Sequence, residues 1–474
     1  MSQLILWNMP ATYDSTASAV RPLGPHKLAS WLRQNGYAVK VIDFAGCMSL
    51  SDLVAITERW IDHSTLAIGV STTFFPNEDP QARSSGQAIE QAMPMPDWLS
   101  AGQAAVAAKY PGLRWVMGGT RVNQFLQPGW TGFTGAGEDQ MLAWLDETSQ
   151  ASGQTRPRFD ITTSCGPVFT DDDHIDRWEV IPIELGRGCM FRCRFCSYEY
   201  LGKTPGTYLR SADSIRAEIM HYHERWGVTR FYYIDDTVNE TVDKVRMLRD
   251  IAASVPFRLE WIGYIRADLV WARPETEQLL LESGLRSTFI GIESFESNSS
   301  KLIGKGWSGL HGKEWLLKMQ QRWEGKINWA LGLIVGLPGQ TEAQLEADGQ
   351  WLIDNNMNNW RWAALWISPG MFESEFSRNS QKYGFSFPDP TQSWEWAHQE
   401  SGWNLTKARK LVMKYTRAHR PLMKQAAWPL GDWASLGFEL DLLMQENCKT
   451  SSYLPILADR KLAFVANYVA HSLA

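Results

Sequence analysis

A chain of 474 residues, 44% hydrophobic and 21% charged with a formal net charge of −6, can bury its own core, spans two or three domains, and offers no electrostatic case for tight nucleic-acid binding. Six cysteines in this length are too few for a disulfide framework and fit a reducing compartment. The start, Met1-Ser-Gln-Leu-Ile-Leu-Trp7, lacks the charged segment of a signal peptide, and no run of about 18 apolar residues occurs, so a cytoplasmic protein without a membrane partner is expected.

The first part alternates strand and helix. Leu4–Trp7 reads as a buried strand, Gly24–Asn35 as a helix stopping at Gly36, and Ala38–Phe44 as a second strand. Leu50–Ile61 is helical, Leu66–Ser71 a third strand, Pro96–Lys109 a helix, and Arg114–Met117 a fourth strand broken by Gly118-Gly119. This pattern predicts a Rossmann-like open parallel sheet over 1–145, with any ligand at the carboxyl ends of its strands. Polar, turn-rich stretches at Ser149–Thr155 and Asp171–His174 mark 146–178 as a connection.

Ile181–Glu184 is then a strand that leads into Gly188-Cys-Met-Phe-Arg-Cys-Arg-Phe-Cys-Ser197. Cys189, Cys193 and Cys196 follow the spacing C-x3-C-x2-C. Three thiolates on one loop can hold three irons of a 4Fe–4S cluster and leave the fourth open to a reactive ligand. A structural zinc site needs four ligands, and the nearest histidines, His174 and His221, are distant in sequence.

Beyond the loop the alternation resumes. Helices are predicted at Ser211–Trp226, Val242–Ser254, Pro274–Ser283, Trp315–Trp323 and Ala343–Asn355. Strands are predicted at Arg230–Ile234, Arg258–Ile265, Ser287–Ile292 and Ile327–Val335. The count approaches a (β/α)6 partial TIM barrel over 179–372, which places reactive residues at strand ends. Residues 373–474 show no clear strands and helical patterns at Thr406–Arg417, Phe438–Glu446 and Arg460–Tyr468, a helical cap that would select the substrate. Tryptophan is frequent, 24 residues, with Trp360, Trp362, Trp366, Trp394, Trp396 and Trp403 in the last third. Core packing and an aromatic substrate cavity both account for them.

The cysteine run resembles that of the radical S-adenosylmethionine (SAM) enzymes, and so does the segment Gly332-Leu-Ile334-Val-Gly336 followed by Glu342, across about 180–345. The resemblance implies an oxygen-sensitive enzyme that cleaves SAM at a 4Fe–4S cluster to methionine and a 5′-deoxyadenosyl radical. It implies cluster ligation by Cys189, Cys193 and Cys196. It further implies a SAM pocket of Phe195, Asp235, Asp236, Arg266, Glu293, Ser294, Ile334 and Gly336, with Lys305 fitting the family's lysine after the fourth strand. Helix capping is the other account of Asp235 and Asp236, and an Arg266–Asp268 surface pair that of Arg266. An electron donor such as flavodoxin or ferredoxin is implied as a partner.

The first 145 residues resemble the cobalamin-binding domain that precedes many radical SAM domains. The residues are Asn8-Met9-Pro10, Pro22-Leu-Gly24, Asp43, Ser71-Thr72-Thr73, Gly118-Gly119 and Gly135-Ala-Gly137-Glu138. This implies that Ser71, Thr72, Thr73, Gly118, Gly119, Gly135 and Glu138 face a cobalamin, and that the reaction is C-methyl transfer to an unidentified substrate. The segment Asp43-Phe-Ala-Gly46 departs from D-x-H-x-x-G by offering no histidine to cobalt. Three alternatives stay open: cobalamin used without methyl transfer; a cobalamin-free isomerase, epimerase or coupling enzyme, with Cys165 or Cys448 as hydrogen donor; and a non-catalytic metal-binding interaction protein.

Overall fold

Two parallel sheets arise where short apolar runs alternate with amphipathic helices. The computed structural model describes residues 2–10, 12–13, 16–75, 95–119, 122–149, 156–198, 201–204, 207–305, 309–357, 359–367, 373–388, 395–419, 434–443 and 450–474.

The first sheet has strands β1 (Gln3–Trp7), β2 (Ala38–Ile42), β3 (Thr65–Ser71), β4 (Arg114–Gly118) and β5 (Trp130–Phe133), in the order β2-β1-β3-β4-β5 and all parallel. Successive strand residues point to opposite faces. Ile5, Trp7, Ile68 and Val70 therefore meet α2 (Leu50–Trp60) and α3 (Asp97–Lys109) through Leu53, Ile56 and Leu99. Leu4, Leu6 and Val39 meet α1 (Leu23–Gln34) and α4 (Gly137–Thr148) through Ala29, Leu32 and Met141. In this strand order the connections reverse direction between β1 and β3, which opens a crevice at their carboxyl ends. Sequence alternation predicts four strands here. The fifth, Trp130-Thr-Gly-Phe133, escapes because it follows Pro128-Gly129 and contains a glycine, both signals of a turn.

The second sheet runs in chain order through β6 (Val180–Ile183), β7 (Arg230–Tyr233), β8 (Glu260–Ile265), β9 (Leu285–Glu293), β10 (Asn328–Val335) and β11 (Trp360–Ala364), again all parallel. Between them run α5 (Ala212–Trp226), α6 (Val242–Ser254), α7 (Glu275–Glu282), α8 (Gly309–Trp323) and α9 (Glu342–Asp354). The side chains of Ser211, Thr241 and Thr341 accept hydrogen bonds from the backbone N–H of Ser214, Lys244 and Gln344, which starts α5, α6 and α9. Gly227, at φ 72°, ends α5. The result is the (β/α)6 partial barrel.

The C-terminal part departs from a single strandless cap. A small antiparallel pair, β12 (Phe385–Ser386) and β13 (Ala397–His398), precedes α10 (Leu405–His419) at the carboxyl end of the barrel. The chain then closes the opposite end. Ser435 Oγ accepts from the Val180 N–H at 3.0 Å, Arg230 pairs with Glu439 at 2.9 Å, and Arg286 pairs with Asp441. Ala434, Leu436 and Phe438 plug the lumen against Ile262 and Ala330. Last, α11 (Thr450–Leu473) returns to the first sheet, where the Tyr468 hydroxyl accepts from the Asp43 N–H at 2.9 Å. No helix among the described residues is long and apolar enough to cross a membrane.

Candidate functional site

The three cysteines lie on the loop from β6 to α5. Backbone hydrogen bonds fix that loop: Lys203 N–H to Cys189 O and Cys196 N–H to Cys193 O, each 3.0 Å, and Arg194 N–H to Ile303 O at 3.1 Å. Cys189 is buried and the other two are half-buried. Burial pushes the Cys189 thiol up and the Cys196 thiol up to about 12, so both are protonated until a cation displaces the proton. Thiolates sharing one tetrahedral zinc at about 2.3 Å would sit roughly 3.8 Å apart. Among the described residues, the one group of three or more such ligand atoms all within 4.8 Å of one another is His26, Asp43 and Asp173, not the cysteines. An all-sulfur donor set spread wider than one ion requires fits a cluster in which each thiolate takes its own iron.

Around this loop stand the ends of the barrel strands, and most of their charges are already engaged. Asp235, after β7, accepts from the Leu185 N–H at 2.9 Å and from Lys244 Nζ at 2.7 Å; Lys244 also pairs with Glu240 at 2.7 Å. The pair is fully buried, and through the Leu185 N–H it braces the chain that enters the cysteine loop. Asp236 instead keeps part of its surface open to solvent at the strand end, while the protein packed around its carboxyl, with the charge of Asp235 beside it, raises that group to about 6.

Arg266, after β8, is buried and grips both oxygens of Asp268 at 3.0 and 2.6 Å, a buried pair rather than a surface one. Glu293, ending β9, takes a left-handed φ of 64° and pairs with the buried Lys305 at 3.2 Å. Such strain in a non-glycine residue costs about 1–3 kcal/mol and persists where surroundings impose it. Ser294 Oγ receives hydrogen bonds from Glu296 N–H and Gln340 Nε2, which orient the hydroxyl and do not use its proton. The Ile334 carbonyl also accepts from Gln340 Nε2, at 2.8 Å. Gly336 has φ 102°, and a Cβ there would sit 2.9 Å from the Trp396 ring. Phe195 is partly buried against the barrel core. Lys244 and Gln340 escape sequence reasoning because helix-borne lysines and loop amides carry no pattern; their roles appear only when the chain folds back.

At the first sheet's carboxyl edge, Thr72, Thr73, Gly118 and Gly119 come together. Thr72 Oγ1 donates to Gly118 O at 3.0 Å, and Ser71 Oγ lies 3.4 Å from Thr73 Oγ1. Gly119, at φ 106°, leaves room that a Cβ would take up, 2.7 Å from Thr73 Oγ1. This uncharged bracket, with backbone open beside it, fits a large amide-fringed ligand. Gly135, at φ 75°, turns the chain after β5. Glu138 does not face the crevice: it is buried and pairs with Arg187 at 2.8 Å. Arg187 also pairs with Glu184 at 2.8 Å, and Glu184 with Lys27. Asp43 is engaged too. Burial would raise its carboxyl, but His26 and Arg21 beside it, with hydrogen bonds from His26 and Asn8, bring it down to about 2. His26 is held between Asp43 at 3.0 Å and Asp173 at 3.6 Å.

Cys165 is exposed, and its neighbours Ser164 and Gly166 abut Ser214 and Glu218 of α5, in the outer helix layer. Cys448 and Trp394 lie outside the described residues.

Residues 183–352 match the family model described as the Radical SAM superfamily. The barrel and its cysteine loop are thus a radical SAM domain, a type that carries a 4Fe–4S cluster and uses SAM. Nearly the whole chain is similar to TsrM, a radical S-adenosylmethionine methyltransferase from Kitasatospora setae. With tryptophan substrate and a SAM analog bound, that structure is 14% identical over 99% of this chain and 98% of its own, TM-score 0.59. With cobalamin and a [4Fe-4S] cluster bound, it is 12% identical over 98% and 100%, TM-score 0.62. A cobalamin-dependent SAM radical enzyme, OxsB, with aqua-cobalamin and SAM bound, is 13% identical over 98% of this chain and 72% of its own, TM-score 0.58. At these identities the fold is what is shared. No curated protein sequence matches the chain.

Proposed function

We propose that this enzyme of the radical SAM superfamily binds cobalamin on its first sheet and transfers a methyl group to a carbon of a substrate held between the two sheets. One observation carries the reading: two carboxyl-end crevices are joined by the chain Lys27–Glu184–Arg187–Glu138, whose middle members lead directly into Cys189. A ligand on the Thr72–Gly119 bracket and one on the cysteine loop would then share a mouth.

In this assignment Cys189, Cys193 and Cys196 hold the cluster. When bound, it supplies the electron that cleaves SAM, and the cobalamin supplies a methyl carrier. The chain's own residues orient and shield. Asp236 and Phe195 flank SAM. Asp235, Arg266, Glu293, Ser294 and Ile334 form the braced wall behind it, and Gly336 lets Trp396 pack closely against that wall. Ser71, Thr72, Thr73, Gly118, Gly119 and Gly135 cradle the cobalamin, whose cobalt receives no histidine from Asp43-Phe-Ala-Gly46. An electron donor such as flavodoxin or ferredoxin would approach the outer side of the cysteine loop, where Arg192 and Lys203 are exposed.

The test is anaerobic reconstitution with iron, sulfide and hydroxocobalamin, followed by metal analysis and incubation with methyl-labelled SAM. Free tryptophan, the substrate named for the Kitasatospora enzyme, is the first compound to offer. About four irons per chain, retained cobalt and label in a product are expected. Iron without cobalt would remove the cobalamin and methyl-transfer parts, and zinc without iron would remove the whole reading.

A further inference from the structure

The Arg266 guanidinium does not point only at Asp268. Its Nη1 lies 3.2 Å from Cys193 Sγ, and its central carbon lies over the Phe191 ring, 4.0 Å from the centroid. Three independent contacts fix this group: the bidentate grip of Asp268, the aromatic ring, and Asn239. The last brackets the arginine's backbone, with Asn239 Oδ1 accepting from the Arg266 N–H at 2.8 Å and Asn239 Nδ2 donating to its carbonyl at 2.9 Å. Arg266 is 5% exposed, so little water competes for its hydrogens. A planar fork engaged on one edge by a carboxylate keeps its remaining N–H groups aimed in one direction. Here that direction is a sulfur.

Resting on the cluster assignment above, we propose that Arg266 is a positioning residue for the cluster: it donates a hydrogen bond to the Cys193 thiolate and thereby raises the potential of the one-electron [4Fe–4S]2+/+ couple. Reduction adds one negative charge to the cluster and its sulfurs. A fixed donor and full positive charge at one ligand sulfur stabilise the reduced member more than the oxidised one. Asp268 supplies geometry without cancelling the effect, because it binds the far edge of the fork. The role differs from clamping the SAM carboxylate, for which the same arginine would need its paired edge free.

The two roles separate in the absence of SAM. Wild type, Arg266→Gln and Arg266→Lys would be reconstituted with iron and sulfide, checked for iron content, and titrated against dithionite with mediators, following the reduced-cluster EPR signal without SAM. Arg266→Gln is expected to load iron as the wild type does, to shift the midpoint to more negative potential, and to change SAM affinity less than about threefold. Arg266→Lys, whose single ammonium cannot hold Asp268 and reach Cys193 together, is expected to fall between the two. Arg266→Lys also serves if Arg266→Gln fails to load. Unchanged potentials in the loaded variants, with SAM binding weakened tenfold or more, would overturn the assignment alone. An iron-free wild type would overturn the cluster reading and this assignment with it.

Discussion

The two carboxyl-end edges of this molecule are built in opposite ways. Around the cysteine loop almost every strand-end charge is paired inside the fold: Asp235 with Lys244, Arg266 with Asp268, Glu293 with Lys305. At the first sheet the crevice is bracketed by hydroxyls and glycines, while its charges, Asp43 and Glu138, turn away to Arg21 and Arg187. A rigid wall of satisfied ion pairs suits a small, highly charged ligand that must be held in one pose. An uncharged bracket suits a large ligand fringed with amides. In both places the residues that look like ligand contacts from sequence often serve to stiffen what lies behind them.

The comparison breaks most visibly at the thiolates. Cys193→Ala is expected to lose the cluster and all SAM cleavage while cobalt retention stays, measured by metal analysis and 5′-deoxyadenosine release. Next in size is Lys244→Met. It strands Asp235 and Glu240 in a buried site, and removing one partner of a buried pair costs about 3–5 kcal/mol. Thermal unfolding should register the loss, and iron uptake should fall with it because Asp235 holds the Leu185 N–H.

The first sheet should respond more mildly. The Asp43 carboxyl, near 3.8 when unperturbed and about 2 when folded, is depressed. Its contribution is therefore fully present above the unfolded value and is lost as pH falls from about 4 to about 2, a difference of about 2 kcal/mol. Denaturant melts in that window should show this slope in the wild type and not in Asp43→Asn. Gly119→Ala places a Cβ against Thr73 at a positive φ, costing about 1 kcal/mol or slightly more. Its sharper readout is reduced cobalt retention at unchanged iron. Equal loss of both metals would erase the division of labour between the two edges.

Much of this was legible in the sequence because it depends on local rules. The C-x3-C-x2-C run, the strand–helix alternation, Thr341 before Glu342 and Gly227 after α5 all act within a few residues. What stayed hidden depends on chain segments meeting across long separations. Nothing local says that Gln340 will reach Ser294, 46 residues earlier, or that Ser435 will close a barrel whose first strand begins 255 residues earlier. The helical C-terminal region was legible too, but not which end of the barrel each of its segments covers, because periodicity finds helices without saying where they pack.

The smallest expected effect bears on the tryptophans. Trp396 and Trp403 do not line an open aromatic cavity; both are buried, and each indole N–H caps a backbone carbonyl, Leu365 O and Gln340 O, at 2.9 Å. Trp403→Phe keeps most of the apolar area and deletes one hydrogen bond, leaving the Gln340 carbonyl without its donor at a cost of about 1 kcal/mol. Because the Gln340 side-chain amide also donates to the Ile334 carbonyl, the loss should reach the SAM pocket only as a rise in Kd below about twofold. Substrate preference should not move, since the indole packs behind the strand ends and not in front of them. A variant of unchanged stability but altered substrate selectivity would reverse this assignment. It would return the tryptophan-rich third to the role of a binding surface and extend the uncharged, ligand-facing construction of the first sheet to the barrel as well.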